Sequence, residues 1–263
     1  MLIHEFGEKQ NPILLLLPGT MCYWKGNFGQ VIETLSEKFF VAAVSYTGFD
    51  ENDTENYVSV TDELERIEAY IQEHYNGSIC AAYGCSLGGS FVAQLAARHK
   101  IHMRYGIIGS SDLDQAGSVK AQILTKIMIK ATYNFIHTGA YRSKLMQKRF
   151  EKQMADPDLY NRAFVAMTGR DKYDMSFITK ESLQNQFRSD LTTPLPLQID
   201  NGETEIHVFY AKKMGKKYFA RYKKYLRVPI VHEQDLRHEE LLACYPEQWA
   251  ALVKQIVVGE CAG

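Results

Sequence analysis

The sequence predicts an α/β fold, a mostly parallel sheet flanked by helices with an inserted helical lid, and three observations predict it. Strand-like and helix-like segments alternate along most of the chain. The clearest strands are continuously aliphatic and leave no wet face, as in a sheet covered by helices on both sides. The alternation also stops after Asp112 for about ninety residues, where a crossover between parallel strands needs only about a dozen.

The elements follow in order. Pro12 to Leu17 is the first clear strand, ended by Pro18-Gly19. A short helix is expected around Phe28 to Glu37, then a second buried strand from Phe39 to Tyr46, which Gly48 closes. From about Val60, the apolar residues Leu64, Ile67, Tyr70 and Ile71 recur at helical spacing and mark an amphipathic crossover helix. Ser78 to Tyr83 reads as a strand running through a glycine-rich turn into a helix from Phe91 to Arg98, and Arg104 to Ile108 as the next strand. Helix-like stretches near Ala121 to Tyr133, Tyr141 to Met154 and Pro157 to Met167 fill the surplus before a strand at Glu205 to Tyr210. A helix near Lys216 to Tyr225, a short strand around Val228 to Val231 and a final helix from Pro246 to Val257 complete the chain. The expected division is a core of residues 1–114 and 203–263, with residues 115–202 as the lid.

Composition narrows the function classes. Of 263 residues, 46% are apolar and 23% charged, ordinary for a globular protein. With 30 Lys+Arg against 31 Asp+Glu the net charge is -1, so no global field favours nucleic acid, and none is expected as a partner. The longest aliphatic run, Ile13 to Leu17, is far short of the roughly 20 residues that cross a bilayer. No membrane span is expected. The N-terminus has no basic leader, apolar h-region or small-residue cleavage site, which gives a cytoplasmic expectation. Cys22, Cys80, Cys85, Cys244 and Cys261 lack CxxC or clustered Cys/His spacing, so they are read as reduced thiols, and neither a metal nor a cofactor is expected.

The strongest chemical signal is Gly84-Cys85-Ser86-Leu87-Gly88, placed between a strand and a helix. Small residues let such a turn close sharply on itself, so that the serine is thrust out above the helix N-terminus. Ser86 is the candidate nucleophile; the competing reading is a glycine-rich turn whose serine caps a helix. Cys85 is read as packing. A serine hydroxyl needs a base to take its proton, and histidine is the usual one. Among eight histidines, His238 follows the last strand and precedes the last helix, at the same sheet edge as Ser86. His232 is the second choice.

Leu17-Pro18-Gly19-Thr20 after a buried strand, Gly84-Cys85-Ser86-Leu87-Gly88 at a strand-to-helix turn and His238 before a terminal helix together resemble the α/β-hydrolase superfamily, over essentially the whole chain. The resemblance implies the α/β-hydrolase fold and an acyl-serine mechanism. It implies an oxyanion hole built from the backbone N–H groups of Leu87 and Thr20, with Met21 as substitute for Thr20. It also implies a triad acid, and here the chain departs from the common pattern, because Tyr210-Ala211-Lys212-Lys213-Met214-Gly215 holds no carboxylate. The acid assigned on the resemblance is Asp112, after the strand that follows the elbow. Asp112 as a helix cap, Asp235 as the acid, and a histidine with no acid partner stay open.

Met21, Tyr23 and Trp24, at or just beyond the oxyanion loop, are candidates for the substrate pocket. Ala116 to Lys152 carries eight Lys/Arg and one acid, and Ala211 to Arg227 eight and none. These stretches are read either as solvated helix faces or as a basic rim for an anionic substrate. The expected function is a serine hydrolase acting on a small or medium carboxylic ester or thioester, a small-molecule substrate, with the oligomeric state open. The alternatives are a catalytically silent small-molecule-binding protein of the same fold and a C–C bond hydrolase or lyase.

Overall fold

The computed structural model describes residues 1–113 and 115–259; Cys261 lies outside them. Seven strands form one sheet: β1 (Leu2–Phe6), β2 (Ile13–Leu17), β3 (Phe40–Ser45), β4 (Ser78–Gly84), β5 (His102–Ile108), β6 (Glu205–Ala211) and β7 (Ile230–Gln234). Their order across the sheet is β1-β3-β2-β4-β5-β6-β7. All pairs are parallel except β1 with β3. The aliphatic residues that identify β2 and β3 are wholly buried from Leu14 to Leu17 and from Val41 to Val44, as expected of central strands.

Helices α1 (Trp24–Ser36), α2 (Val60–His74) and α3 (Leu87–Arg98) connect the first strands, and α8 (Lys216–Tyr225), α9 (Glu240–Cys244) and α10 (Pro246–Val258) complete the core. Tyr83 of β4 meets Phe28 of α1 and Trp249 of α10 edge-on, while the adjacent Gly84 lies against Gly88 of α3. Successive strand residues face opposite sides, so helical layers cover both faces of the sheet. Between β5 and β6 four helices are inserted: α4 (Ser118–Thr138), α5 (Lys144–Ala155), α6 (Leu159–Thr168) and α7 (Lys180–Thr192).

The expected order of strands and helices is present, with additions. β1 is an edge strand whose mixed residues gave no strand signal. The last strand lies at Ile230–Gln234 rather than around Val228 to Val231, and Val228 is 81% exposed. α7 and the short α9 are further elements.

Glu63, in the first turn of α2, is fully buried. Burial pushes its carboxyl up from 4.5 to about 6, against the opposing pull of hydrogen bonds from Thr47. A folded pKa above the unfolded one means the native state binds more protons in that window, so stability falls as pH rises from about 4.5 through 6. Glu63→Gln is expected to stabilise the protein at pH 7 by on the order of 2 kcal/mol. Urea unfolding at pH 5 and pH 7.5 checks it: the variant flattens the pH dependence, and an unchanged difference between the two pH values contradicts the assignment.

Candidate active site

Ser86 lies at the junction of β4 and α3 with φ +49 and ψ -108, a backbone region that costs a non-glycine residue about 1–3 kcal/mol. The turn is forced by close approach. Cys85 N–H donates to the Leu17 carbonyl at 3.0 Å, and a Cβ on Gly88 would come within 2.1 Å of that same oxygen. Only glycine lets α3 start so near β2, and the resulting elbow presents Ser86, half-buried, at the carboxyl edge of the sheet.

The backbone of Ser86 is held by a residue the sequence did not single out. Glu239 is buried, and its Oε1 accepts hydrogen bonds from Ser86 N–H at 2.9 Å and Ser110 N–H at 2.8 Å. Its Oε2 accepts from Tyr83 Oη at 2.9 Å. A Cβ on Gly109 would stand 2.6 Å from Tyr83 Oη and 2.7 Å from Glu239 Oε1, so the glycine that follows β5 makes room for this carboxylate. Because Glu239 is the peptide neighbour of His238, the same contact ties the β7–α9 loop to the elbow. Glu239 itself has φ +53, which turns its side chain down into the core beneath the loop.

His238 is half-buried. Its carbonyl accepts from Tyr160 Oη at 2.9 Å, and its ring lies 5.9 Å from that of Phe164; both partners belong to α6. A clamp next to it fixes the same junction. Arg237 donates to both carboxylate oxygens of Asp158, the N-cap of α6, and to both of Glu240 in α9, with Nε to Glu240 Oε2 at 2.9 Å. These hydrogen bonds from Arg237 hold the Asp158 carboxyl at about 2. The imidazole of His238 forms no hydrogen bond with Ser86 or with any other described residue.

The β2–α1 loop completes the rim. Gly19 N–H donates to Asn27 Oδ1 at 2.8 Å, and Met21, with φ +63, donates its N–H to Gln186 Oε1 at 2.9 Å. The N–H groups of Thr20 and Leu87 have no acceptor among the described residues, whereas that of Met21 is occupied. Tyr23 is buried among Tyr173 and Phe177 of the insertion, with its hydroxyl on Glu51. Trp24 stacks on His4 of β1 at 4.2 Å. Both aromatics are thus engaged in packing, and Met21 is the more accessible of the three.

Asp112 is exposed, three residues beyond Gly109, and its carbonyl accepts from Arg221 Nη1 at 3.0 Å. No hydrogen bond joins its carboxylate to His238. Asp235 is likewise exposed. His232 is engaged elsewhere, with Nε2 2.9 Å from Nδ1 of His207 on the neighbouring strand. Cys85 is buried beside Asn27, and burial, reinforced by the charge of Glu239, pushes its thiol well above the ordinary value, which leaves it no thiolate for nucleophilic work. Among the described residues no group of three or more His, Cys, Asp or Glu is arranged to hold a metal ion, and no helix is long and apolar enough to cross a membrane.

No protein-family model and no curated protein sequence matches the chain. Solved structures do. A Desulfitobacterium hafniense protein described as belonging to the alpha/beta hydrolase family superposes with a TM-score of 0.77 at 20% identity, over 97% of this chain and 99% of that one. MenH from S. aureus gives 0.70 at 11% identity, over 96% and 95%. A protein from a study of Nitrososphaera gargenis carboxylesterases gives 0.71 at 12% identity, over 100% and 96%. Likeness along whole chains at so few shared residues is likeness of architecture, and the architecture of this chain is the α/β-hydrolase fold.

Proposed function

We propose that the chain is a serine hydrolase that cleaves a small or medium carboxylic ester or thioester through an acyl intermediate on Ser86. The observation that carries this reading is the strained Ser86 elbow, bonded through the Glu239 carboxylate to the loop that bears His238. Strain of this kind persists where the surrounding structure over-determines it, and such positions cluster at functional sites. Three further features support it. The N–H groups of Thr20 and Leu87, without an acceptor among the described residues, border the same rim, the N-terminus of α3 adds its positive dipole end there, and the fold is one that solved esterases share.

In this reading Ser86 Oγ attacks the acyl carbonyl while His238 takes the hydroxyl proton. The carbonyl oxygen becomes an oxyanion facing the N–H groups of Thr20 and Leu87. His238 then gives the proton to the departing alcohol or thiol, and water, activated by the same imidazole, releases the acid and regenerates Ser86. The four inserted helices act as a lid on residues 115–202, with α6 lying over the histidine loop, and Met21 lines the entrance. Asp112 is proposed as the acid that orients His238, an arrangement that requires its carboxylate to reach the ring when substrate binds.

Turnover of p-nitrophenyl acetate, butyrate and octanoate tests the reading. Asp112→Asn is expected to lower kcat by a factor of about 10³–10⁴, as loss of a triad carboxylate does; a wild-type rate in that variant removes Asp112 from the mechanism. Among the described residues no carboxylate bonds the His238 ring, and this favours one second reading, a non-catalytic binding protein of the same fold. That reading predicts no turnover of any ester in the series.

A further inference from the structure

Away from Ser86, a cavity of about 980 Å³ opens in the helical insertion between α4, α5 and α7, at the upper end of the size range of small-molecule pockets. Lys126 and Lys130 of α4, Arg142 before α5 and Lys180 at the start of α7 line it, and no carboxylate does. None of these four cations makes an ion pair or hydrogen bond with a described residue. Unpaired lysines alone are commonplace on a surface, but here they border an apolar concavity. Ile127, Ile129 and Met146 contribute to its wall, and Ile127 remains 58% exposed. Helix α4 is therefore apolar on both sides. Its inner face buries Ala121, Ile129 and Ile136, and its outer face carries Val119, Ile123 and Ile127 in the open, one turn apart.

We infer that this cavity is a binding site for an anionic single-chain amphiphile, a molecule with a carboxylate-like head and an alkyl chain. The four like charges attract the head and leave no acid to repel it, while the apolar wall covers the chain, which would otherwise leave Ile127 in water. The site is separate from the elbow. Gln184 lines the cavity and Gln186 bonds Met21 of the β2–α1 loop, and two residues apart on a helix point roughly 200° apart, so α7 stands between the two places. The inference therefore does not rest on the proposed hydrolase activity.

Calorimetric titration with laurate, octanoate and inorganic sulfate, all below micelle-forming concentrations, tests it on the wild-type protein and on Ser86→Ala. Each added methylene is expected to tighten binding by roughly two- to fourfold, so laurate binds at least tenfold tighter than octanoate and far tighter than sulfate, equally in both proteins. The exposed double variant Lys126→Glu/Lys130→Glu loses at least tenfold in laurate affinity with an unchanged circular dichroism spectrum, and Lys180→Glu alone loses part of it should the double variant misfold. Laurate affinity insensitive to these reversals overturns the assignment, as does equal affinity for sulfate and laurate. Failure to bind laurate while sedimenting with phosphatidylglycerol vesicles overturns it in favour of a membrane-docking surface. Loss of laurate binding in Ser86→Ala places the ligand at the elbow instead.

Discussion

Ser86→Ala is expected to remove ester turnover, by a factor of about 10⁴–10⁶, while leaving circular dichroism and thermal unfolding close to wild type. The separation of the two effects follows from the local structure. The elbow is shaped by backbone contacts, namely Ser86 N–H on Glu239, Cys85 N–H on Leu17 and the approach of Gly88 to the Leu17 carbonyl. The Ser86 hydroxyl makes no hydrogen bond with a described residue, so its removal costs the fold little, and under the proposed mechanism it takes away the nucleophile. Turnover of p-nitrophenyl butyrate and a melting curve on the same sample read both. Wild-type turnover eliminates Ser86 as nucleophile.

Glu239→Ala is expected to destabilise the protein by on the order of 3–9 kcal/mol, because it strips the acceptor from three buried or half-buried donors, Ser86 N–H, Ser110 N–H and Tyr83 Oη, at about 1–3 kcal/mol for each donor left unpaired. Against a total stability of about 5–15 kcal/mol this is large. The same substitution unties the His238 loop from the elbow, so whatever folds should also turn over ester more slowly. Glu239→Gln keeps an oxygen for the two N–H groups and an amide for Tyr83, and loses less. Tyr83→Phe removes one bond of the three and should cost about 1.5–3 kcal/mol, because its partner is a buried carboxylate. Urea unfolding of the three variants checks the ranking; a loss below about 1 kcal/mol for Glu239→Ala would mean that the carboxylate does not hold the rim together.

What was legible in the sequence follows physical lines. β2, β3 and β4 could be read because a strand covered on both faces must be almost continuously apolar, as Leu14 to Leu17 and Val41 to Val44 are. β1 could not, because an edge strand such as Leu2–Phe6 keeps His4 and Glu5 partly in solvent and alternates too weakly over five residues. α7 escaped because it buries Ser182, Gln186 and Ser189 beside Leu183 and Phe187, and polar residues that bond across a helix interface carry no apolar periodicity. The sharp turn at Ser86 was legible through its glycines and its position between strand and helix, and the place of His238 between the last strand and the last helices was legible from the order of the elements. Glu239 was not. In Arg237-His238-Glu239-Glu240 it reads as a solvated acid beside another, and only the tertiary approach of Tyr83, Ser86 and Ser110 makes it a buried anchor. The trace it left was Gly109, a glycine at a strand end with no turn to explain it. Asp112 marks the opposite limit: a strand-end acid on the expected sheet edge is readable, whereas the direction of its carboxylate depends on the loop around it.

The central claim is that Ser86 and His238 work as one unit on a common rim of the sheet. Its most direct test is the rate and site of covalent labelling by a fluorophosphonate, mapped by peptide mass spectrometry in the wild type and in His238→Gln. The predicted result is a single adduct on Ser86, formed at least a hundredfold more slowly when His238 is replaced. An adduct on another residue, or equal labelling of Ser86 in both proteins, would contradict the claim.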